Sequence, residues 1–119
     1  MVGRVWRIQM RTIICDIDGV IFRHHGQGAC HQWSVEPELL GRAQQQFDAW
    51  EKAGDYIILM TARKESCRSL LEAQLRKHKL FWDLLIMGVP HGQRVLINDT
   101  KQGGLPSAEV IVIERNKGL

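Results

Sequence analysis

Five short apolar runs divide this chain, and the residues that follow each run constrain the fold more than any other feature. Thr12–Ile17 carries an abrupt acidic ending, Asp16-Ile17-Asp18-Gly19. Tyr56–Met60 leads into Thr61-Ala62-Arg63, Leu84–Met87 into Gly88-Val89-Pro90-His91, and Val95–Ile97 into Asn98-Asp99; Val110–Ile113 is the fifth run. Short runs without polar alternation read as strands buried on both faces. Two amphipathic stretches lie between them. Pro37 opens the first, with Leu39, Leu40, Ala43, Phe47 and Trp50 on one face and Gly54 where a C-terminal cap belongs. The second spans about Glu65 to His78, with Cys67, Leu70, Leu71 and Leu75 inward. The cations Arg76, Lys77, His78 and Lys79 gather at its end, where they complement the helix dipole. Strands alternating with helices predict an α/β fold: a three-layer Rossmannoid domain around a mostly parallel sheet of about five strands, joined by right-handed crossovers. The link between the fourth and fifth strands is short and Gly-rich, so the second half is less regularly wound.

The 119 residues suffice for one domain with its own core. Residues 1–119 are read as that single domain, and residues 1–10, ahead of the first strand, as an N-terminal extension without an assigned role. A hydrophobic fraction of 45% and a charged fraction of 24% exclude a disordered chain. The three cysteines, Cys15, Cys30 and Cys67, are odd in number and lack CxxC spacing, which excludes a disulfide framework or zinc ribbon. No apolar run is long enough to span a membrane and no signal-peptide core is visible, so a cytoplasmic protein is expected. The net charge of +3 suits an anionic partner. The basic residues are scattered, so nucleic acid is not demanded and a small phosphorylated metabolite satisfies the charge.

Ligands of open α/β sheets bind outside the carboxyl ends of the strands. On that edge the chain places Asp16, Asp18, Thr61, Arg63 and Asp99, with Gly19, Ala62 and Asn98 among them. Clustered carboxylates need a cation between them, and hard oxygen donors suit magnesium, which takes one or two carboxylates plus substrate phosphate. Any one of these dipeptides alone would read as a turn; their convergence on one edge reads as a magnesium-assisted phosphate site.

These segments resemble the signatures of the haloacid-dehalogenase superfamily. IICDIDGV is similar to the first, a strand followed by Asp-x-Asp-Gly-Thr/Val; IILMTAR to the second; VLINDTK to the fourth. The order and spacing agree over nearly all of the chain after Met10. The stretch from LIMGVPHGQRVLINDTK to ERNKGL resembles small capless members of sugar-phosphatase or polysaccharide-biosynthesis type. The resemblance implies a magnesium-dependent phosphatase in which Asp16 is the nucleophile and forms an aspartyl-phosphate. Asp18 transfers the proton, and its main-chain carbonyl helps to hold the metal. Thr61 donates to the phosphoryl group, and Asp16, Asp18 and Asp99 form the metal site. Gly19, Ala62 and Arg63 are read as lining the substrate, with His24 or His25 touching it from the loop after the first strand.

One signature departs from the pattern. The family's third supplies a lysine beside the nucleophile; here Val89 precedes Pro90, and no lysine occurs from Phe81 to Thr100. Arg94 is the chosen replacement, with Arg63 and Lys101 as the other cations in reach. Neither the 42 residues between Asp18 and Thr61 (19–60) nor the 37 between Thr61 and Asp99 (62–98) can hold a cap domain. An open site then excludes water by a local flap, by a neighbouring subunit of a homo-oligomer, or by the substrate itself.

Other readings compete. Without the lysine, a weakly active or inactive phosphate- or partner-binding domain is an alternative. An open site on a basic chain also allows a phosphatase acting on nucleic-acid ends. A response-regulator receiver is disfavoured, because it needs its phosphoacceptor where this chain has Gly88 and Val89. His24, His25, Cys30 and His31 match no zinc spacing and are read as part of a flap. Trp50 and Trp82 are read as packing residues, Trp33 is left open, and Cys15 is read as a small buried hydrophobe.

Overall fold

The computed structural model describes residues 10–25, 36–100, 103–104 and 107–119. Three parallel strands, β1 (Thr12–Asp16), β2 (Tyr56–Met60) and β3 (Leu84–Ile86), form a sheet in the order β1-β2-β3. Thr12 pairs with Tyr56 and Asp16 with Met60; Ile58 pairs with Leu84 and Met60 with Ile86. The first crossover contains helix α1 (Ala43–Ala53), and the second contains a 3₁₀ turn (Glu65–Cys67) leading into helix α2 (Arg68–Lys77). The architecture is therefore a small α/β unit compatible with a Rossmann-like fold.

Alternation along the strands decides which face is buried. Cys15, Ile57, Leu59 and Leu85 share one sheet face, and with Ala43, Phe47 and Trp50 of α1 and Leu71 and Leu75 of α2 they make the core. Each large side chain fully buried there contributes roughly 1.5–3 kcal/mol. The opposite face carries Ile14, Tyr56 and Leu84, all of which are exposed. The described helices thus cover one face, giving two layers where three were expected.

Three further expectations are corrected. The first helix begins at Ala43, well after Pro37, because Gly41 takes a φ of 52° and breaks any helical run through it. The chain before it is recruited elsewhere: Phe22 bridges Leu39 antiparallel, and the Leu40 N–H donates to the Ile21 carbonyl at 2.8 Å. Leu70, expected inward, is exposed on α2. Most consequentially, the sheet has three strands rather than five. Val95–Ile97 and Val110–Ile113 pair with no strand among the described residues, and most of their side chains face solvent. Trp50 and Cys15 are buried as expected, and Gly54 caps α1 in the left-handed conformation at φ 79°. No described helix is long and apolar enough to cross a membrane.

Candidate active site

β1 delivers its carboxylates through a tight turn. The Ile17 carbonyl accepts from the N–H groups of Val20, Ile21 and Phe22, and Gly19, at φ 93°, lets the chain reverse directly after Asp18. A side chain at Gly19 would also crowd Arg115, whose Cγ lies 3.3 Å from the position a Cβ would take. The C-terminal segment locks this turn. Asn116 donates its N–H to the Gly19 carbonyl at 2.8 Å, and its Oδ1 accepts the His24 N–H at 2.7 Å. Asn116 itself has a φ of 66°, and Gly118 packs so tightly on Gly41 that a Cβ would lie 2.8 Å from its backbone. The sequence reading missed this role for Asn116 and Gly118, although the Asn-Lys-Gly run is a turn signal.

Asp16 reaches solvent, and its Oδ1 accepts the Ile17 N–H at 2.8 Å. Desolvation against the strand end pushes its carboxyl above the ordinary aspartate range. The Ile17 hydrogen bond opposes that rise, Asp18 adds to it, and Arg94 and His24 lower it. The preceding thiol, Cys15, is pushed up to about 12 by burial and by Asp16. That is the behaviour of an inert core residue.

Asp18 is held differently. Arg63 grips it with two bonds, Nε to Oδ2 at 2.9 Å and Nη2 to Oδ1 at 2.7 Å. The guanidinium is almost fully buried, and its Nη1 donates to Oε1 of Gln74 on α2 at 2.9 Å. Such fork-to-fork pairing fixes orientation as well as charge. Arg63 was expected to line the substrate; its fork is committed to Asp18, so it acts through that carboxylate. Thr61 stands between them in sequence and is buried, its Oγ1 accepting the Arg63 N–H at 3.0 Å. The Thr61–Arg63 backbone is clamped at the end of β3 by bonds from Val89 N–H to the Thr61 carbonyl and from Gly88 N–H to the Arg63 carbonyl. Ala62 is half-buried in this clamp.

Of the three cations considered for the missing lysine, Arg63 pairs with Asp18, whereas the Arg94 guanidinium donates to the carbonyls of Pro90 at 2.7 Å and Gly92 at 3.2 Å and contributes a weak attraction that lowers the Asp16 carboxyl. Lys101 lies outside the described residues, as do Cys30, His31 and Trp33. His91 is exposed, and Trp82 is half-buried with the Arg76 guanidinium 5.4 Å from its ring centre.

Asp99 is not gathered with Asp16 and Asp18. Among the described residues no three His, Cys, Asp or Glu side chains lie together as metal ligands. The physical reason is the unformed fourth strand: residues 93–100 are exposed, and Asp99 is occupied locally, its N–H donating to Asn98 Oδ1 and its carbonyl accepting from Ser107. At the strand end the donors are the Asp16 carboxylate and the Asp18 main-chain oxygen. These are hard donors of the kind magnesium takes one or two of, so the donor chemistry fits the ion, though as a smaller set than expected.

The fold and site together define a small α/β unit with two aspartates at one strand end, one solvent-accessible and the other gripped by a buried arginine. No protein-family model matches the chain, and no curated protein matches it. Among solved structures, it is similar to a chain of the Pnkp1/Rnl/Hen1 complex, with a TM-score of 0.56 and 24% identity. That likeness covers 66% of this chain and 28% of the other, so the chain spans under a third of that relative's length and shares its fold. A crystal structure from Vibrio cholerae, solved as an MCSG target, aligns at a TM-score of 0.47 and 18% identity over 78% of this chain and 82% of that one.

Proposed function

We propose that this chain is a magnesium-dependent phosphohydrolase of haloacid-dehalogenase type that releases phosphate from a small phosphorylated metabolite such as a sugar phosphate. The observation that carries the reading is the division of labour at the end of β1. Asp16 is solvent-accessible, while Asp18 is fixed by a buried arginine. In the first step a carboxylate oxygen of Asp16 attacks phosphorus and the ester P–O bond breaks. The electron pair leaves on the ester oxygen, which takes a proton from Asp18. In the second step water attacks the phospho-aspartate, Asp18 takes the water proton, and phosphate departs with Asp16 restored. Arg63 uses one lone pair on each Asp18 oxygen, and a carboxylate oxygen has two, so a proton can come and go while the grip persists. Arg94 is assigned the charge that collects on the phosphoryl group, in place of the family's lysine. The Asp16 carboxylate and the Asp18 main-chain carbonyl would hold magnesium, which would supply neutralisation of the phosphoryl oxygens when bound.

The test is phosphate release from a panel of sugar phosphates and nucleotides with magnesium, comparing wild type with Asp16→Asn and Arg94→Ala. Wild-type turnover abolished by Asp16→Asn and reduced at least tenfold by Arg94→Ala is expected. A wild type inert on every substrate, or an equally active Asp16→Asn, sinks the catalytic reading in favour of a phosphate-binding domain.

A further inference from the structure

We propose that Gln74 is a positioning residue for Asp18, acting through Arg63; the inference deepens the phosphohydrolase reading and rests on it. Gln74 lies on α2 in the same buried stripe as Leu71 and Leu75. A leucine would fill that position at no polar cost, whereas a buried amide must find partners. Its partner is Arg63 Nη1, at 2.9 Å from Oε1, and arginine only donates, which fixes which end of the amide faces it. The guanidinium is a rigid plane. Two of its nitrogens are spent on Asp18 at 2.9 and 2.7 Å, and the third nitrogen, on Gln74, sets the rotation of the plane. Removing that acceptor leaves a buried donor unsatisfied, and the fork then turns toward any acceptor within reach, carrying the Asp18 carboxylate with it. Gln74 touches no reacting atom. Its effect passes from α2 to the strand end through one side chain.

Proton delivery to the leaving oxygen matters greatly for an alkyl phosphate and little for p-nitrophenyl phosphate, whose leaving group departs without help. The experiment therefore compares wild type, Gln74→Leu and Gln74→Glu on glycerol 3-phosphate and p-nitrophenyl phosphate with magnesium. Gln74→Leu should lower kcat on glycerol 3-phosphate on the order of tenfold or more, with KM changed less than about twofold. On p-nitrophenyl phosphate it should lower kcat less than about threefold. Gln74→Glu, which keeps an acceptor oxygen in place, should recover most of the loss. Equal losses on both substrates, or a change confined to KM, overturn the positioning role.

The ¹H–¹⁵N signal of Arg63 Nε is read in parallel, without turnover. A slowly exchanging signal in wild type and Gln74→Glu that is lost in Gln74→Leu supports the positioning, and an identical signal in all three overturns it. A wild type inert on both substrates overturns the phosphohydrolase reading instead, and the Arg63 signal then decides the positioning by itself.

Discussion

At the scale of single residues, the end of β1 sets two like-charged groups under opposite regimes. Asp18 is neutralised by a buried fork, whereas Asp16 stays ionisable at the cost of desolvation and the nearness of Asp18. A carboxyl whose proton affinity is higher folded than unfolded contributes stability at low pH and loses it as pH rises through its folded value. Asp16→Asn should therefore stabilise the fold at pH 7. Because the group is exposed, the gain is small, a rise in Tm of about 2 °C. It should vanish as pH falls below the ordinary aspartate value of about 4, where wild type is protonated in both states. Thermal melts of the two proteins from pH 3 to 8 check this, and a Tm lowered at neutral pH contradicts it. Asp16 and Asp18 were legible from sequence because an acidic turn directly after an apolar run is a local pattern. The role of Arg63 was not legible. Its partners stand 45 and 11 residues away, and burial turns a polar side chain from a ligand contact into a support. Gln74 did leave a trace, as a polar residue on the apolar stripe of α2.

At the scale of elements, the strand starts are tied by carboxylates that take no part in the site. Asp55, just before β2, has a fully buried side chain that accepts the Arg11 N–H at 3.0 Å and Arg11 Nη2 at 3.1 Å. Asp83, just before β3, accepts the Ile57 N–H at 2.7 Å. These bonds continue the ladder past the last paired residues and hold the register that puts Asp16 level with Met60. The Arg11 guanidinium is largely exposed, so the main-chain bond carries most of the worth. Asp55→Ala should cost about 2 kcal/mol, the worth of hydrogen bonds to a buried carboxylate. Urea titration should show a lower midpoint at an unchanged slope, and Asp55→Asn, which keeps an acceptor, should lose less. An unshifted midpoint for Asp55→Ala rejects the pinning role. The three paired strands and most inward residues of both helices, Leu70 excepted, were legible because their periods agree with their burial. The start of α1 was not, since Leu39 and Leu40 suit a helix face and the bridge to Phe22 equally well.

At the scale of the whole molecule, the decisive difference from the sequence reading is the stretch after Arg94. Val95, Leu96 and Ile97 are 73%, 56% and 87% exposed, and Val110, Ile111 and Val112 are 77%, 75% and 87% exposed. Apolar composition marks a segment as able to form a strand, but the strand exists only if an edge receives it, and pairing is a long-range matter that local pattern does not encode. The far end of the stretch is held at the site, where Asn116 bonds Gly19 and His24. The described residues ahead of it, from 95 to 100 and from 109 to 112, are exposed, and Asp99 among them does not join Asp16 and Asp18 in a ligand cluster. Two measurements follow. Amides of residues 95–97 and 110–112 should exchange with solvent deuterium far faster than those of 57–59, whose side chains include the fully buried Ile57 and Leu59. A double substitution, Leu96→Lys with Ile111→Lys, should change stability by no more than about 0.5 kcal/mol per site, as expected for exposed positions. If instead these amides are as protected as those of β2, or the lysines unfold the protein, the stretch belongs to the sheet. Asp99 would then be carried to the strand end beside Asp16.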